Sequence, residues 1–446
     1  MNLTKTELGS WGDAIAQPSL PEVHGSLKVP RTASHLRKML AFAGPGFLIA
    51  VGYMDPGNWA TDLAAGSKYN YTLLSVILLS NFMAILLQTL SIRLGVATGR
   101  DLAQTCREQF SRPVSLFLWV LAEIAIAACD LAEVIGSAIA LNLLFHIPLL
   151  LGVCLTALDV LLILLLQQKG FRFLEALVVV LIGTVSVCFA MEIIFSRPAL
   201  AGLAHGFFVL SPQILRNPGM LYIAVSILGA TVMPHNLYLH SAIVQTRDFD
   251  RTSRGKREAI RFSTIDSTVA LTLALFVNAA ILIVSAATFY SRGMNGIAEI
   301  QDAYKLLTPL LGVTGASTIF ALALLASGQN STLTGTLAGQ VVMEGFLNIR
   351  LRPWLRRLIT RSVAIVPAIL VTAFWGERGT GDLLVLSQVI LSMQLSFAVF
   401  PLVMFTSDKR KMGEFVNAPW LKILAWTTAI FIAALNVWLL VQMLHN

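Results

Sequence analysis

Apolar stretches of about 20 residues, the length that crosses a bilayer core, follow one another along almost the whole of this 446-residue chain. With 56% hydrophobic and only 13% charged residues, the composition lies outside the range of soluble domains, so the chain is read as an all-α polytopic membrane protein. Eleven spans are expected, near 39–66, 72–96, 114–142, 148–166, 174–196, 218–246, 262–290, 308–346, 355–375, 382–406 and 420–443. The first, third, sixth and eighth are long and contain glycine or polar residues, so none of these four is expected to be a plain rod. Residues 1–36 hold Pro18, Pro21 and Pro30 and no early apolar core; they point to a flexible tail rather than a cleavable signal peptide. Cys106, Cys129, Cys154 and Cys188 have no metal-ligand spacing and are expected to be free thiols.

The loops supply an orientation. Numbered alternately, one side receives Lys28, Arg37 and Lys38, then Arg93, Arg100 and Arg107, the basic run from Arg247 to Arg261, Arg350 to Arg361, and Lys409 to Lys411. The other side holds only Lys68, Arg197, Arg216, Arg292, Lys305 and Arg378. The positive-inside rule then gives a cytoplasmic N-terminus, and the odd span count an external C-terminus. The net charge of +8 belongs to the cytoplasmic loops. It is scattered over short segments, so no nucleic-acid surface is expected.

Within the first span, residues 50–60 read AVGYMDPGNWA. Pro56 and Gly57 break a helix there and free backbone carbonyls, which lipid cannot satisfy and only protein or a wet cavity tolerates. A lone break of this kind is as easily a kink. Span six, however, contains GATVMPHN, with Met233, Pro234 and His235 at a second break. Interrupted helices in corresponding positions of two five-span halves are the pattern of an inverted-repeat transporter, whose breaks face each other and form the substrate site. Five is odd, so the second half enters the membrane from the opposite side.

Together the breaks offer the Asp55 carboxylate, the Asn58 amide oxygen, the Met233 thioether and free carbonyls, with those of Gly52 and Ala230 the natural candidates. Oxygen ligands with one negative charge suit a small divalent cation, and a thioether adds preference for softer transition metals over Mg²⁺ or Ca²⁺. A methionine in a membrane helix is more often packing than ligand, and the pairing with Asp55 is what raises Met233 above that reading.

DPGN in span one with MPHNLYLHS in span six strongly resembles the Nramp family of proton-coupled divalent-metal transporters, the bacterial MntH type included. DLAEVIGSA at 130–138, GQNSTLTGTLAGQVVMEGF at 328–346 and LSQVILS at 386–392 are similar to family segments too, and the resemblance runs from about residue 40 to the end. It implies a LeuT-type fold: a first five-helix repeat over 37–205, an inverted second repeat over 206–408, and an eleventh helix with a short C-terminus over 409–446. Helices 1 and 6 are then unwound at the midplane. It implies metal ligation by Asp55, Asn58, Met233 and the carbonyls of Ala230 and Gly52, with Gln388 in span ten approaching the metal in some conformations. Alanine would be expected where Gly52 stands. The presence of Met233 argues against the family's magnesium and aluminium branches. The implied substrates are Mn²⁺, Fe²⁺ and H⁺ with no cofactor, in a monomer of the bacterial inner membrane.

Ionisable residues inside a membrane are functional candidates by default. In span three Glu123, Asp130 and Glu133 share one helical face by their spacing, and span nine begins with Arg356 and Arg357. From the residues alone, a structural ion-pair network is an equal reading. The resemblance favours a proton route from Asp55 through Asp130 and Glu133 toward Arg356 and Arg357, with His235 tuning it and Glu123 peripheral. A bound divalent cation favours the ionised carboxylate, so metal entry at Asp55 expels a proton that needs an acceptor, and Asp130 is the first choice.

Other functions fit less well. HNLYLH at 235–240 imitates a histidine box, but the other five histidines are scattered singly, which disfavours a membrane di-iron enzyme and leaves His240 a packing or gating residue. A Na⁺-coupled organic-solute symporter would share the fold but give a thioether no evident role. Nothing suggests a symmetric pore or a receptor ectodomain.

Overall fold

The computed structural model describes residues 18–30, 34–156, 170–295, 297, 299–349, 353–375 and 379–445. It is almost wholly helical; among the described residues its one sheet is the two-residue parallel pair β1 (Leu27–Lys28) and β2 (Arg247–Asp248). Helix is what lipid demands of such sequences, because each helix satisfies its own backbone N–H and C=O groups.

The first expected span is divided into α1 (His35–Phe42), α2 (Pro45–Gly52) and α3 (Pro56–Tyr69). There follow α4 (Leu74–Thr98), α5 (Leu102–Gln109), α6 (Arg112–Phe145), α7 (Leu149–Thr156) and α8 (Phe171–Ser196). The sixth span is divided into α9 (Pro218–Val232) and α10 (Pro234–Ile243). Then come α11 (Ser253–Thr288), α12 (Ala316–Leu347), α13 (Pro353–Trp375), α14 (Thr380–Thr406) and α15 (Pro419–His445). Among the described residues, seven helical stretches are long and apolar enough to cross a membrane. The pieces of the broken first span are individually too short. The fourth expected span falls partly outside the described residues, as do several side chains of the ninth, and α12 is diluted by Ser327, Asn330, Ser331, Thr332 and Thr334. Phe82, Ile194, Phe276 and Phe374 stand exposed on the outside of the bundle, an arrangement that water would penalise and lipid accepts.

Of the four long spans, one departs from expectation outright and another in part. The eighth loses residues 308–311 to a separate helix, Ile300–Leu311, that ends at Gly312, and its remainder is α12, while the third is wholly α6; these two helices are continuous over 32 and 34 residues. Their glycines serve close packing instead of a break, and no proline interrupts either one beyond the first turn. Gly136 of α6 lies against the Pro56 ring, Gly328 of α12 against Ser137, and Gly335 of α12 against the carboxylates of Asp130 and Glu133. Accordingly α6 packs on α12 and α14, while α11 packs on α2, α3 and α4.

At one end of the bundle the chain before α2 is clamped. Arg247, 1% exposed, donates to Glu175 Oε1 at 2.6 Å, to the Ala43 carbonyl at 2.7 Å and to the Ala41 carbonyl at 3.2 Å. Asp266 accepts from Gly44 N at 3.1 Å and Gly46 N at 2.7 Å. Gly44 has φ +133°, and a side chain there would run into the Glu175 carboxylate. Residues 18–30 lie across the same end. Ser19 Oγ donates to Asp101 Oδ2 at 2.6 Å, Leu20 N to Glu344 Oε2 at 2.9 Å, and Gln340 Nε2 to Glu22 Oε1 at 3.0 Å.

Candidate functional site

Both breaks are built from the same device. Proline has no N–H to give the carbonyl four residues before it. Pro56 therefore leaves the Gly52 carbonyl, and Pro234 the Ala230 carbonyl, without the usual helical donor. Gly52 retains only a long contact from Asp55 N at 3.4 Å. The intervening carbonyls are satisfied by side chains. Tyr53 O accepts from Asn58 Nδ2 at 2.7 Å and Asn278 Nδ2 at 2.8 Å, and Met54 O accepts from Trp59 Nε1 at 3.2 Å and from Ser327 Oγ. Asp55 caps α3, its Oδ1 accepting from Asn58 N at 2.7 Å.

The second break is a single residue. Met233 has φ 31° and ψ 105°, outside the comfortable regions for a side chain with a Cβ. It ends α9 and begins α10, and the turn directs its thioether toward the first break: Asn236 Nδ2 lies 3.7 Å from Met233 Sδ and 3.4 Å from the Ile49 carbonyl of α2. Tyr53 Oη reaches back to the Val232 carbonyl at 3.3 Å. From α14, Gln388 lies over Gly57, where any side chain would collide with its amide, and within hydrogen-bonding reach of Asp55.

Gly52, Asp55, Asn58, Ala230, Met233 and Gln388 are thus brought together, all buried. Asn58 Oδ1 and Gln388 Oε1 are buried without a hydrogen-bond partner, a costly condition in a dry interior and one that a cation would relieve. Among the described residues no group of three or more His, Cys, Asp or Glu could hold a metal ion, so the donor set is one carboxylate with neutral oxygens and a sulfur.

On α6, Asp130 and Glu133 are buried beside Gly335. Cys129 Sγ lies between the two regions, 4.0 Å from Asp55 Oδ2 and 3.6 Å from Glu133 Oε1. Glu123, two turns earlier, is only partly buried and accepts from Trp119 Nε1 at 3.1 Å. His235 is buried with neither ring nitrogen bonded. His240 Nδ1 is 2.8 Å from Gln88 Oε1, and Gln88 Nε2 donates to Tyr53 Oη at 2.7 Å, which ties α10 through α4 to the first break. The side chains of Arg356 and Arg357 lie outside the described residues. All four cysteines are free.

A family model described as natural resistance-associated macrophage protein-like (Nramp) matches residues 46–442. The chain belongs to the Nramp family. A relative from Nostoc sp., named divalent metal cation transporter MntH, is 68% identical over 428 residues, covering 96% of this chain and 97% of its own. A crystal structure of the Eremococcus coleocola manganese transporter matches with a TM-score of 0.86 at 43% identity, over 94% of this chain and 90% of that one. Mhp1, a nucleobase-cation-symport-1 family transporter, matches at TM-score 0.59 and 16% identity over 90% of this chain and 91% of its own, which speaks for the fold alone. The LeuT-type transporter fold expected from the sequence is the one these Nramp and Mhp1 structures share. These relatives are named as transporters, not enzymes, and for what they carry rather than for a cofactor.

Sequence reasoning left unassigned several residues that hold this Nramp site. Asn236 stood inside the quoted motif but received no role. Asn278, Ser327 and Gln88 satisfy or connect the breaks from distant positions, and only their being polar in apolar helices could have marked them; Tyr53 lies in the first break itself and received no role. Cys129 was taken as one of four equivalent thiols.

Proposed function

We propose that this chain imports Mn²⁺, and with it Fe²⁺ and other divalent transition metals, together with protons by alternating access, while discriminating against Mg²⁺ and Ca²⁺. The observation that carries the reading is the meeting of the two breaks, where Asp55, Asn58, the Gly52 and Ala230 carbonyls, Met233 and Gln388 surround one buried locus with unpaired acceptor oxygens. The names of the relatives, a divalent metal cation transporter and a manganese transporter, support the same cargo. Asp55 neutralises part of the ion's charge, the amide and carbonyl oxygens replace water, and the thioether favours softer ions. With one carboxylate and mostly neutral donors the ion is held weakly enough to leave, as a transported substrate must be.

The proton that metal binding drives from Asp55 passes to Asp130 and Glu133 and on toward Arg356 and Arg357, with His235 tuning the route and Glu123 at its edge. The protein sits in the bacterial inner membrane with its N-terminus cytoplasmic and its C-terminus outside, as a monomer built of repeats 37–205 and 206–408 plus the eleventh helix. Residues 18–30 lie on the cytoplasmic side, bonded to Asp101, Gln340 and Glu344 rather than free as a flexible tail would be. An inside-negative potential pulls a doubly charged ion inward with roughly 4.6 kcal/mol per 100 mV, twice the single-charge value.

The test is Mn²⁺ uptake into proteoliposomes with outside acid and an inside-negative potential. Wild type takes up Mn²⁺ and acidifies the lumen, Asp55→Ala abolishes both, and Met233→Ala lets excess Mg²⁺ or Ca²⁺ compete. If wild type moves no Mn²⁺ but carries an organic solute with Na⁺, the fold stands and the substrate is wrong.

A further inference from the structure

Gly52 stands where alanine was expected, and Asn236 lies in the motif with no role assigned; the structure explains each by the other. A Cβ built on Gly52 meets the Asn236 side-chain amide in direct overlap and Met233 Sδ at 3.1 Å. The space left by the missing methyl is therefore occupied by Asn236. From there its Nδ2 makes two contacts at once, with the Met233 thioether at 3.7 Å and with the Ile49 carbonyl at 3.4 Å. The first belongs to the second break and the other to α2, so one amide joins the two halves of the site. Its Oδ1 is buried without a partner.

We propose that Asn236 is a positioning residue that fixes the Met233 thioether toward the ion and so sets the preference for softer divalent cations, and that Gly52 is required to admit it. The inference rests on the transport reading above and deepens it. A thioether on an unbranched, flexible side chain has many rotamers. With one lone pair engaged by Asn236, the sulfur presents the other in a single direction. Removal of the amide frees the side chain and weakens the sulfur-dependent part of binding, while the oxygen donors from Asp55, Asn58 and the carbonyls stay as they are. Alanine at 52 acts on the same contact by displacing the amide.

The experiment is a double-mutant cycle on the purified full-length protein, with Cd²⁺ and Mn²⁺ affinities measured by calorimetry on wild type, Asn236→Ala, Gly52→Ala and the double variant. The ratio of the two affinities is the readout, since general damage to the site weakens both ions alike. A net hydrogen-bond contribution of ordinary size corresponds to roughly 3- to 10-fold. Asn236→Ala is expected to shrink the Cd²⁺ preference by that factor, and Gly52→Ala to shrink it similarly. The double variant should be no worse than Asn236→Ala, because the added methyl then meets empty space. That recovery also guards against misfolding of Gly52→Ala. An unchanged ratio in Asn236→Ala overturns the inference, as do effects that multiply in the double variant. Wild type binding neither ion overturns the transport reading and this inference with it, an outcome distinct from a wild type that binds both while the cycle fails.

Discussion

Met233 is asked for two things at once, a backbone turn at φ 31° and a sulfur, and substitutions separate them. Glycine accepts that backbone freely whereas alanine does not. Met233→Gly should therefore be more stable than Met233→Ala by about 1 kcal/mol, read as a higher thermal midpoint, while both lose soft-ion preference to the same degree. If the alanine variant is the more stable, the turn is not strained. Asn278 offers a second residue-scale test. Its amide is one of two donors to the Tyr53 carbonyl inside the break, and Asn278→Ala should cost about 1–3 kcal/mol and weaken Mn²⁺ binding measured by calorimetry. The contrast between these residues and those visible in the sequence is one of range. Asp55, Pro56, Gly57 and Asn58 are adjacent, so a carboxylate beside a helix-breaking pair announces itself. Asn278 and Ser327 act across more than 200 positions of chain, and no local pattern marks a polar residue as the partner of one particular carbonyl. Gln388 came only through resemblance to a family.

The broken helices were readable as elements because proline and glycine coincided with polar residues twice, five spans apart. The same vocabulary misled for α6 and for the body of α12, where glycine in an apolar helix meant close approach of a neighbour, although Gly312 and Gly315 do separate the start of the eighth expected span from α12. The two cases differ by proline, which removes a donor outright, whereas glycine only permits contact. At the end of the bundle, the elements are held by the Arg247 clamp on the chain before α2. Breaking a buried pair of this kind costs about 3–5 kcal/mol, so Arg247→Ala should speed amide exchange at Gly44 and Gly46, whose N–H groups donate to Asp266. Unchanged exchange would mean that Asp266 alone anchors the segment. Near the start of α14, burial pushes the Glu299 carboxyl up from its ordinary 4.5 to about 7, against the hydrogen bonds it accepts from Gly381 N at 2.9 Å and Thr380 Oγ1 at 3.1 Å. A carboxyl held above its unfolded value binds more protons when folded, so its contribution to stability is present at low pH and is lost as pH rises from about 4.5 through 7. Asp101, pushed by burial to about 6, acts with the same sign over a lower window. The thermal midpoint should fall across this range, and Glu299→Gln should remove the part of the decline nearest pH 7; an unaltered profile would place the dependence elsewhere.

For the whole molecule, the all-helical membrane class was available from hydropathy alone, because a bilayer imposes length and polarity on every crossing. The closing of the site was not. In this structure Asp55, Asn58, Ala230, Met233 and Gln388 are all buried, so the proposed ion would lie among packed side chains. A transporter with such a site must open one side at a time, and the two breaks are where α2 and α10 can move against α3 and α9 without losing helical hydrogen bonds. All of this depends on one ion lying between the two breaks. The most direct test is a crystal of the full chain soaked in Mn²⁺ and measured at a wavelength where manganese scatters anomalously. The account predicts one strong peak within bonding distance of both the Asp55 carboxylate and the Met233 sulfur, absent in Asp55→Ala. A peak held by Asp130 and Glu133 instead, or no peak between the breaks, would contradict it.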